Sequence, residues 1–169
     1  MALLKHQLHQ RLLYSLGDTV QCDEPPTSSP LPLLFRKFAL PCNAFVYTIT
    51  KQLRGRPQDE YKIQVIVAGT KRGARQTLEL GDGRFPLLIG YSPDFNVFAL
   101  WDATLYRDFA YSRNVQIKEI TLARALVEDV AKQERFLRQG GRRVPETILA
   151  ARPDRTAEAL ALRLTGATS

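Results

Sequence analysis

Six basic side chains, grouped in two short stretches, are the residues of this sequence whose types and spacing best suit a chemical task. Between residues 51 and 84 the chain has eight basic and four acidic residues, an excess that is more than half of its net charge of +7. Lysine and arginine contact phosphate oxygens, and arginine can also donate two hydrogen bonds to a guanine edge. We expect these side chains to bind nucleic acid, and a solubilising surface charge is the competing interpretation. The six are Lys51, Arg54, Arg56, Lys71, Arg72 and Arg75.

The segment Tyr111-Ser112-Arg113-Asn114 combines an aromatic ring with three side chains that can form hydrogen bonds. Proteins that inspect a base take it out of the duplex and stack it on such rings. We therefore expect Tyr111 and its neighbours to lie near a base. The other aromatic residues of this region are more typical of a hydrophobic core, and they are Phe95, Phe98, Trp101, Tyr106 and Phe109.

The strongest catalytic pattern in the sequence is the triplet Glu60-Tyr61-Lys62. Nucleases with an acidic residue and a lysine at the head of a strand hold Mg²⁺ there and position the attacking water. They also need an acidic residue upstream, and the candidates here lie in or beside a Pro-rich stretch, between residues 18 and 24. Because so short a triplet often arises by chance, a small Mg²⁺-dependent nuclease using Glu60 and Lys62 stays an alternative.

Other catalytic and metal-binding patterns are absent from the sequence. It contains no GxSxG, P-loop or HExxH pattern, and no GxGxxG after a predicted strand. His6 and His9 are three residues apart on a predicted helix without a third ligand nearby, so solvent-exposed histidines are favoured over a metal site. Cys22 and Cys42 have neither CxxC nor Cys/His ligand spacing. We expect no cofactor, and no catalysis by this chain alone.

The elements that would position these residues follow from the hydrophobic periodicity. Leucines three to five residues apart between Leu3 and Leu16 predict an amphipathic helix, which could alternatively dock a catalytic subunit and make the chain a protein–protein adaptor. Prolines at four positions between 18 and 32 predict a long surface loop. Strands are predicted at 44–50, 61–67, 77–80, 85–91, 96–102, 115–118 and 144–151, and further helices at 122–139 and 156–164.

Length and composition bound the class of protein. The chain has 169 residues, of which 44% are hydrophobic and 24% charged, which predicts one soluble globular domain over residues 1–169. No apolar run approaches the roughly 18 residues that span a bilayer, and no secretory signal is predicted. With two cysteines, a reducing cytoplasm is the expected location.

Residues 85–103 and 109–116, followed by a predicted helix, resemble domains attached to bacterial restriction endonucleases and DNA methylases. The shared pattern is an apolar strand ending in Gly90-Tyr91, a hairpin, a strand from Val97 to Asp102, and a segment from Ser112 to Gln116. The resemblance covers residues 85–155, about half of the chain. It implies a role in DNA recognition and a fold related to the B3-like pseudobarrels that bind targets or effectors in restriction enzymes.

The sequence therefore predicts an α+β fold with a curved mixed sheet or open pseudobarrel of five to seven strands, flanked by an N-terminal helix and two C-terminal helices. The predicted function is target recognition or modified-base sensing on double-stranded DNA in a bacterial restriction-modification system, beside a catalytic nuclease or methylase subunit or domain. The loops at 51–60 and 69–76 would contact phosphates and grooves, and residues 111–116 would lie near a base. Whether both loops face the same ligand stays open, because successive loops of a meander alternate ends.

Overall fold

The computed structural model describes residues 3–51 and 58–165, and within them three α-helices and ten strands follow one another. These are α1 (Lys5–Leu16), β1 (Val20–Gln21), β2 (Leu31–Phe35), β3 (Leu40–Thr48), β4 (Thr50–Lys51), β5 (Glu60–Val65), β6 (Phe85–Ser92), β7 (Val97–Trp101), β8 (Arg113–Lys118), α2 (Glu119–Arg124), β9 (Ala131–Gln139), β10 (Arg142–Ala151) and α3 (Thr156–Thr165). None of the described helices is long and apolar enough to cross a membrane.

Seven strands form an open mixed sheet in the order β1-β2-β3-β6-β7-β10-β9. β3 and β6 run parallel, with Cys42 opposite Phe85 and Thr48 opposite Tyr91, and the other neighbouring strands are antiparallel. Strands β4, β5 and β8 form a separate antiparallel sheet. The α+β class and the mixed sheet are confirmed, and the sheet does not close into a barrel.

The central strands of the large sheet are apolar on both faces because they lie between two hydrophobic cores. In β7, Ala99 and Trp101 belong to a core shared with the small sheet and α2, whereas Phe98 and Leu100 belong to a core shared with α1 and α3. The Trp101 indole N–H donates to the Gln116 carbonyl at 3.1 Å and so ties the two sheets together. The result is three layers: helices α1 and α3, the large sheet, and the small sheet with α2.

Gly90 of β6 is required by close packing. A Cβ at this position would lie 2.6 Å from Ile49 Cγ1 and 2.9 Å from Trp101 Cζ3, too close for any side chain. Its neighbour Tyr91 packs against Phe98, with the ring centroids 4.9 Å apart, in the core covered by α1 and α3. Gly90 and Tyr91 are therefore explained by packing: the glycine lies where the two sheets approach each other, and the tyrosine fills the core on the opposite face.

The helix predicted from 122 to 139 is wrong for most of its length. The short helix α2 is followed by β9, which pairs with β10 across the two-residue loop Gly140-Gly141. Both glycines have positive φ, 57° and 78°, as a tight hairpin turn of the primed type requires. Apolar residues at helical spacing hid the strand, because β9 alternates between half-buried and solvent-exposed positions and one of the exposed ones is Phe136. The C-terminal part thus contains α3 and only the brief α2 in place of two full helices.

The other predicted elements are confirmed to within a few residues, with three exceptions. No strand forms at 77–80, where the described chain shows an isolated bridge between Gln76 and Phe109 instead. The strand predicted at 44–50 is divided between β3 and β4, and β4 pairs with β5. β2 begins inside the predicted Pro-rich loop. Its residue Pro32 pairs with β3 on one side but has no partner in β1 on the other, and a strand tolerates proline at such an edge position.

His9 is buried, contrary to the expectation of a solvent-exposed histidine. Its Nδ1 lies 2.6 Å from the Pro26 carbonyl, a contact that pins the Pro-rich loop to α1. Its Nε2 is buried without a hydrogen-bond partner in the described chain. Burial lowers the pKa of His9; the Pro26 contact acts in the opposite direction, and the nearby Lys5 ammonium lowers the pKa further.

We predict that the protein loses stability as the pH falls below the ordinary histidine pKa of about 6.5. The unfolded chain binds a proton on His9 there, whereas the folded chain with its lowered pKa does not, so the free energy of unfolding decreases. His9→Gln keeps a donor for the Pro26 carbonyl and cannot titrate, so its stability should vary less over this range. Urea unfolding between about pH 5 and 8 measures the difference. His6→Gln, the matched control, should keep the wild-type profile, and an equally steep profile in His9→Gln would contradict the prediction.

Candidate nucleic-acid interface

The small sheet brings the loop at 69–76 and the segment at 111–114 to the same end of the molecule. β5 and β8 are paired so that Gln64 lies opposite Asn114 and Val65 opposite Arg113. Beyond the last paired residues, Gln76 and Phe109 exchange two backbone hydrogen bonds of 2.8 and 3.0 Å. The second basic loop and the segment predicted to lie near a base are therefore neighbours.

Tyr106 lies at the centre of this end and joins four parts of the chain. Its hydroxyl donates to Glu146 Oε1 of β10 at 3.0 Å and accepts from the Arg135 guanidinium of β9 at 2.9 Å. Its carbonyl accepts from the Leu78 N–H at 3.2 Å, and the Arg113 guanidinium lies 4.9 Å from its ring centroid. Burial raises the pKa of Tyr106, and the Glu146 carboxylate raises it further. The loop at 69–84, β8 and the β9–β10 hairpin thus all contact one buried tyrosine.

Glu146 is a fully buried carboxylate whose hydrogen bonds are satisfied from three directions. Arg135 donates to its Oε1 from Nε at 2.8 Å, and the Asp102 N–H donates to its Oε2 at 3.1 Å. Tyr106 supplies the third donor. A buried charge is tolerated when it is paired and hydrogen-bonded in this way, and removing one partner is strongly destabilising. We call Glu146, Arg135, Tyr106 and the Asp102 N–H the Glu146 cluster.

The basic side chains of the loop at 69–76, together with Arg107, fall into two groups. Arg75 is held by Asp108 at 2.8 Å, a contact that lowers the pKa of that carboxyl, and Arg107 lies 3.7 Å from Glu79. Lys71 and Arg72 are exposed and form no ion pair within the described part of the chain. Exposed, unpaired cations are the groups that can exchange counterions for a polyanion.

Tyr111 and Ser112 are half-buried beside the exposed Asn114. Ser112 has a positive φ of 65°, and its hydroxyl accepts a hydrogen bond from the Gln64 amide, so the turn before β8 is held by the small sheet. Phe98, Trp101, Tyr106 and Phe109 are buried, which confirms them as core residues, and Phe95 is half-buried against Tyr61. Tyr111 is thus the aromatic residue of this group that keeps exposed surface at the basic end.

Lys51 lies at the other end of the small sheet. It pairs with Tyr61, four residues before Val65, a separation of about 13 Å along an extended strand. Tyr61 in turn contacts Asp94, in the turn between β6 and β7. Arg54 and Arg56 lie outside the described residues. The two basic loops therefore begin at opposite ends of β5, as expected of a meander.

A third group of basic residues, missed by the sequence analysis, lies on the β9–β10 hairpin. Arg138, Arg142 and Arg143 surround the Gly-Gly turn and are exposed. The Gln139 amide donates to the Leu105 carbonyl and so fixes the base of the turn beside Tyr106. The dipeptide Gly140-Gly141, which is typical of two-residue hairpin turns, is the sequence signal that could have identified this hairpin.

The geometry gives little support to the two alternative functions, the Mg²⁺-dependent nuclease and the protein–protein adaptor. Glu60 and Lys62 share the outer face of β5, but no group of three His, Cys, Asp or Glu side chains that could hold a metal is present in the described ranges. In α1, Leu8, Leu12 and Leu16 are buried in the chain's own core. The apolar face that would dock a partner in the adaptor hypothesis is therefore already covered.

A family model with the description methylase-associated X1 matches residues 42–160. The matched segment runs from β3 into α3 and contains the loop at 69–76, the Glu146 cluster and the β9–β10 hairpin. No curated protein and no solved structure matches the chain.

We predict that Arg135→Met lowers the free energy of unfolding by about 3 to 5 kcal/mol, because it leaves the Glu146 carboxylate buried without its cation. Arg135→Met with Glu146→Gln should recover much of the loss, since the amide carries no charge and still accepts from Asp102. Arg124→Met, which removes an exposed ion pair with Glu128 and an exposed hydrogen bond to the Lys132 carbonyl, should lower the free energy of unfolding far less, because solvent screens both contacts. Urea unfolding measures all three variants. Equal losses for Arg135→Met and Arg124→Met would show that the Glu146 cluster does not stabilise the fold.

Proposed function

The chain belongs to the methylase-associated X1 family, and we propose that it recognises double-stranded DNA for a methylase of a bacterial restriction-modification system. The observation that carries the proposal is the grouping, at one end of the molecule, of exposed cations that have no ion pair among the described residues with a hydrogen-bonding aromatic segment. Family membership supports a methylase as the catalytic partner, and the basic surface supports DNA as the ligand.

The proposal assigns different tasks to the basic residues. Lys71 and Arg72, which are exposed and unpaired within the described ranges, contact phosphates. Arg75 is oriented by Asp108 and exchanges that partner for a phosphate at close approach. Lys51, with Arg54 and Arg56, contacts the backbone farther along the duplex, because it lies at the opposite end of the small sheet.

The segment at 111–114 performs the base recognition in this proposal. Arg113 is oriented by the Tyr106 ring, and Asn114 is exposed, so both can donate to base edges. Tyr111 stacks on a base that leaves the duplex, and Ser112, held by Gln64, keeps the turn in place. A site of this kind can distinguish a modified base from an unmodified one by hydrogen bonds and by shape.

Binding to a duplex should depend steeply on salt, with a log–log slope that falls by about 0.9 for each phosphate contact that is removed. We predict that Lys71→Gln with Arg72→Gln lowers the slope by about 2, because both exposed cations lose their counterion exchange. Fluorescence anisotropy between about 50 and 200 mM salt measures the slopes. Arg36→Gln with Lys37→Gln, two exposed cations of the turn between β2 and β3, removes the same charge at another place and should leave the slope nearly unchanged.

Two results of this titration would contradict the proposal. One is the absence of duplex binding at the lower salt concentration. The other is an equal loss of slope in both double variants, which would mean that net charge and not the basic end determines binding. Repeating the titration with unmodified, cytosine-methylated and hydroxymethylated duplexes shows whether the site senses a modification, and Tyr111→Ala should abolish any preference found.

A further inference from the structure

The tip of the β9–β10 hairpin is a two-stranded ribbon that extends away from the large sheet. β10 pairs with β7 through Leu149–Ala151 only, whereas it pairs with β9 from Arg142 to Ala150. Residues 142–148 therefore have β9 as their single strand partner. We call residues 136–145 the arm.

One face of the arm carries two positively charged side chains at opposed positions, which destabilises the pairing of β9 with β10. Arg138 and Arg143 lie directly opposite each other in the register, with Phe136 and Pro145 as the next pair on the same face. Like charges at opposed positions destabilise an antiparallel pair. Neither arginine forms an ion pair inside the described part of the molecule, and the nearest acidic residue of this face is Glu134, two residues before Phe136.

The arm also has the rigidity and shape of a binding element. The Arg143 guanidinium lies 4.2 Å from the centroid of the Phe136 ring, whose side chain is 60% exposed. The base of the arm is fixed by the Arg135–Glu146 ion pair and by the bond from Gln139 to the Leu105 carbonyl. At the tip, both glycines are exposed and a Cβ on either would meet nothing within 4 Å, so the turn has no bulk on that side.

We propose that the arm enters the major groove of duplex DNA, with Arg138 and Arg143 donating to guanine edges and Phe136 contacting a thymine methyl group. The inference rests on the proposed function and adds the groove and the base contacts. A two-stranded ribbon fits the width of the major groove, and arginine to guanine is the commonest specific contact made there. A polyanion also removes the repulsion between the two opposed guanidinium groups. The arm lies beside Tyr106, so it approaches the duplex from the same side as the segment at 111–114.

The test selects sequences from a pool of random duplexes with the full chain, in wild-type form and in two double variants. Arg138→Lys with Arg143→Lys keeps both charges but loses the two-pronged donor, so the salt slope should remain while the selected sequence loses its guanine preference and binds about tenfold more weakly. Arg138→Gln with Arg143→Gln removes both charges, so this variant should lose the guanine preference and also show a smaller salt slope. Protection of guanine N7 from dimethyl sulfate by the wild type locates the contact in the major groove. Urea unfolding shows that the variants remain folded.

Three outcomes overturn the inference in different ways. If the wild type and the lysine variant select the same sequence with equal affinity, the arm does not read bases, although the proposed function stands. If the glutamine variant binds duplexes with the affinity, salt slope and selected sequence of the wild type, the arm does not contact DNA, although the proposed function stands. If the wild type binds no duplex at low salt, the proposed function itself fails and the arm proposal fails with it.

Discussion

The buried carboxylate of Glu146 is the constraint on which the basic end of this protein depends. It lies where β10 separates from β7, and it accepts hydrogen bonds from Arg135, Tyr106 and the Asp102 N–H. Because an unpaired charge in this position would be costly, these three groups are held in one arrangement. That arrangement fixes the angle of the hairpin, the turn after β7 and, through the Tyr106 ring, the Arg113 side chain.

The Glu146 cluster also explains how a strongly basic surface can be rigid. Glu146 is the buried acidic residue of the described chain, and it pairs with Arg135, whose side chain is largely buried. Lys71, Arg72, Arg138 and Arg143 are exposed and form no ion pair within the described residues, and they are the cations that our proposals place against the phosphates and bases of DNA. At this end of the molecule the buried arginine is paired with a buried acid, whereas the exposed cations of the described chain include both paired ones, such as Arg75, and unpaired ones, such as Lys71.

The sequence predicted the parts of the fold in which periodicity and burial agree. The sequence analysis predicted four such parts correctly, because their apolar residues are buried in the two cores. They are the hairpin of β6 and β7, the helices α1 and α3, and the strand β8. β9 was not, since an edge strand with Arg135 inside and Phe136 outside reverses the usual pattern. In the candidate site, the proximity of Lys71, Arg72 and the segment at 111–114 depends on strand register, and the arm depends on a hairpin that the sequence analysis assigned to a helix.

The most direct test of the account is amide hydrogen exchange of the full chain with and without a DNA duplex. If the end assembled around Glu146 is the DNA-binding face, the duplex should protect residues 69–76, 111–114 and 136–145 together, and should leave the turn at 36–39, between β2 and β3 in the half of the large sheet away from β9, unchanged. Protection of the turn at 36–39 and α1 with no change in the other three segments would contradict it, because DNA would then bind a face that the Glu146 cluster does not organise.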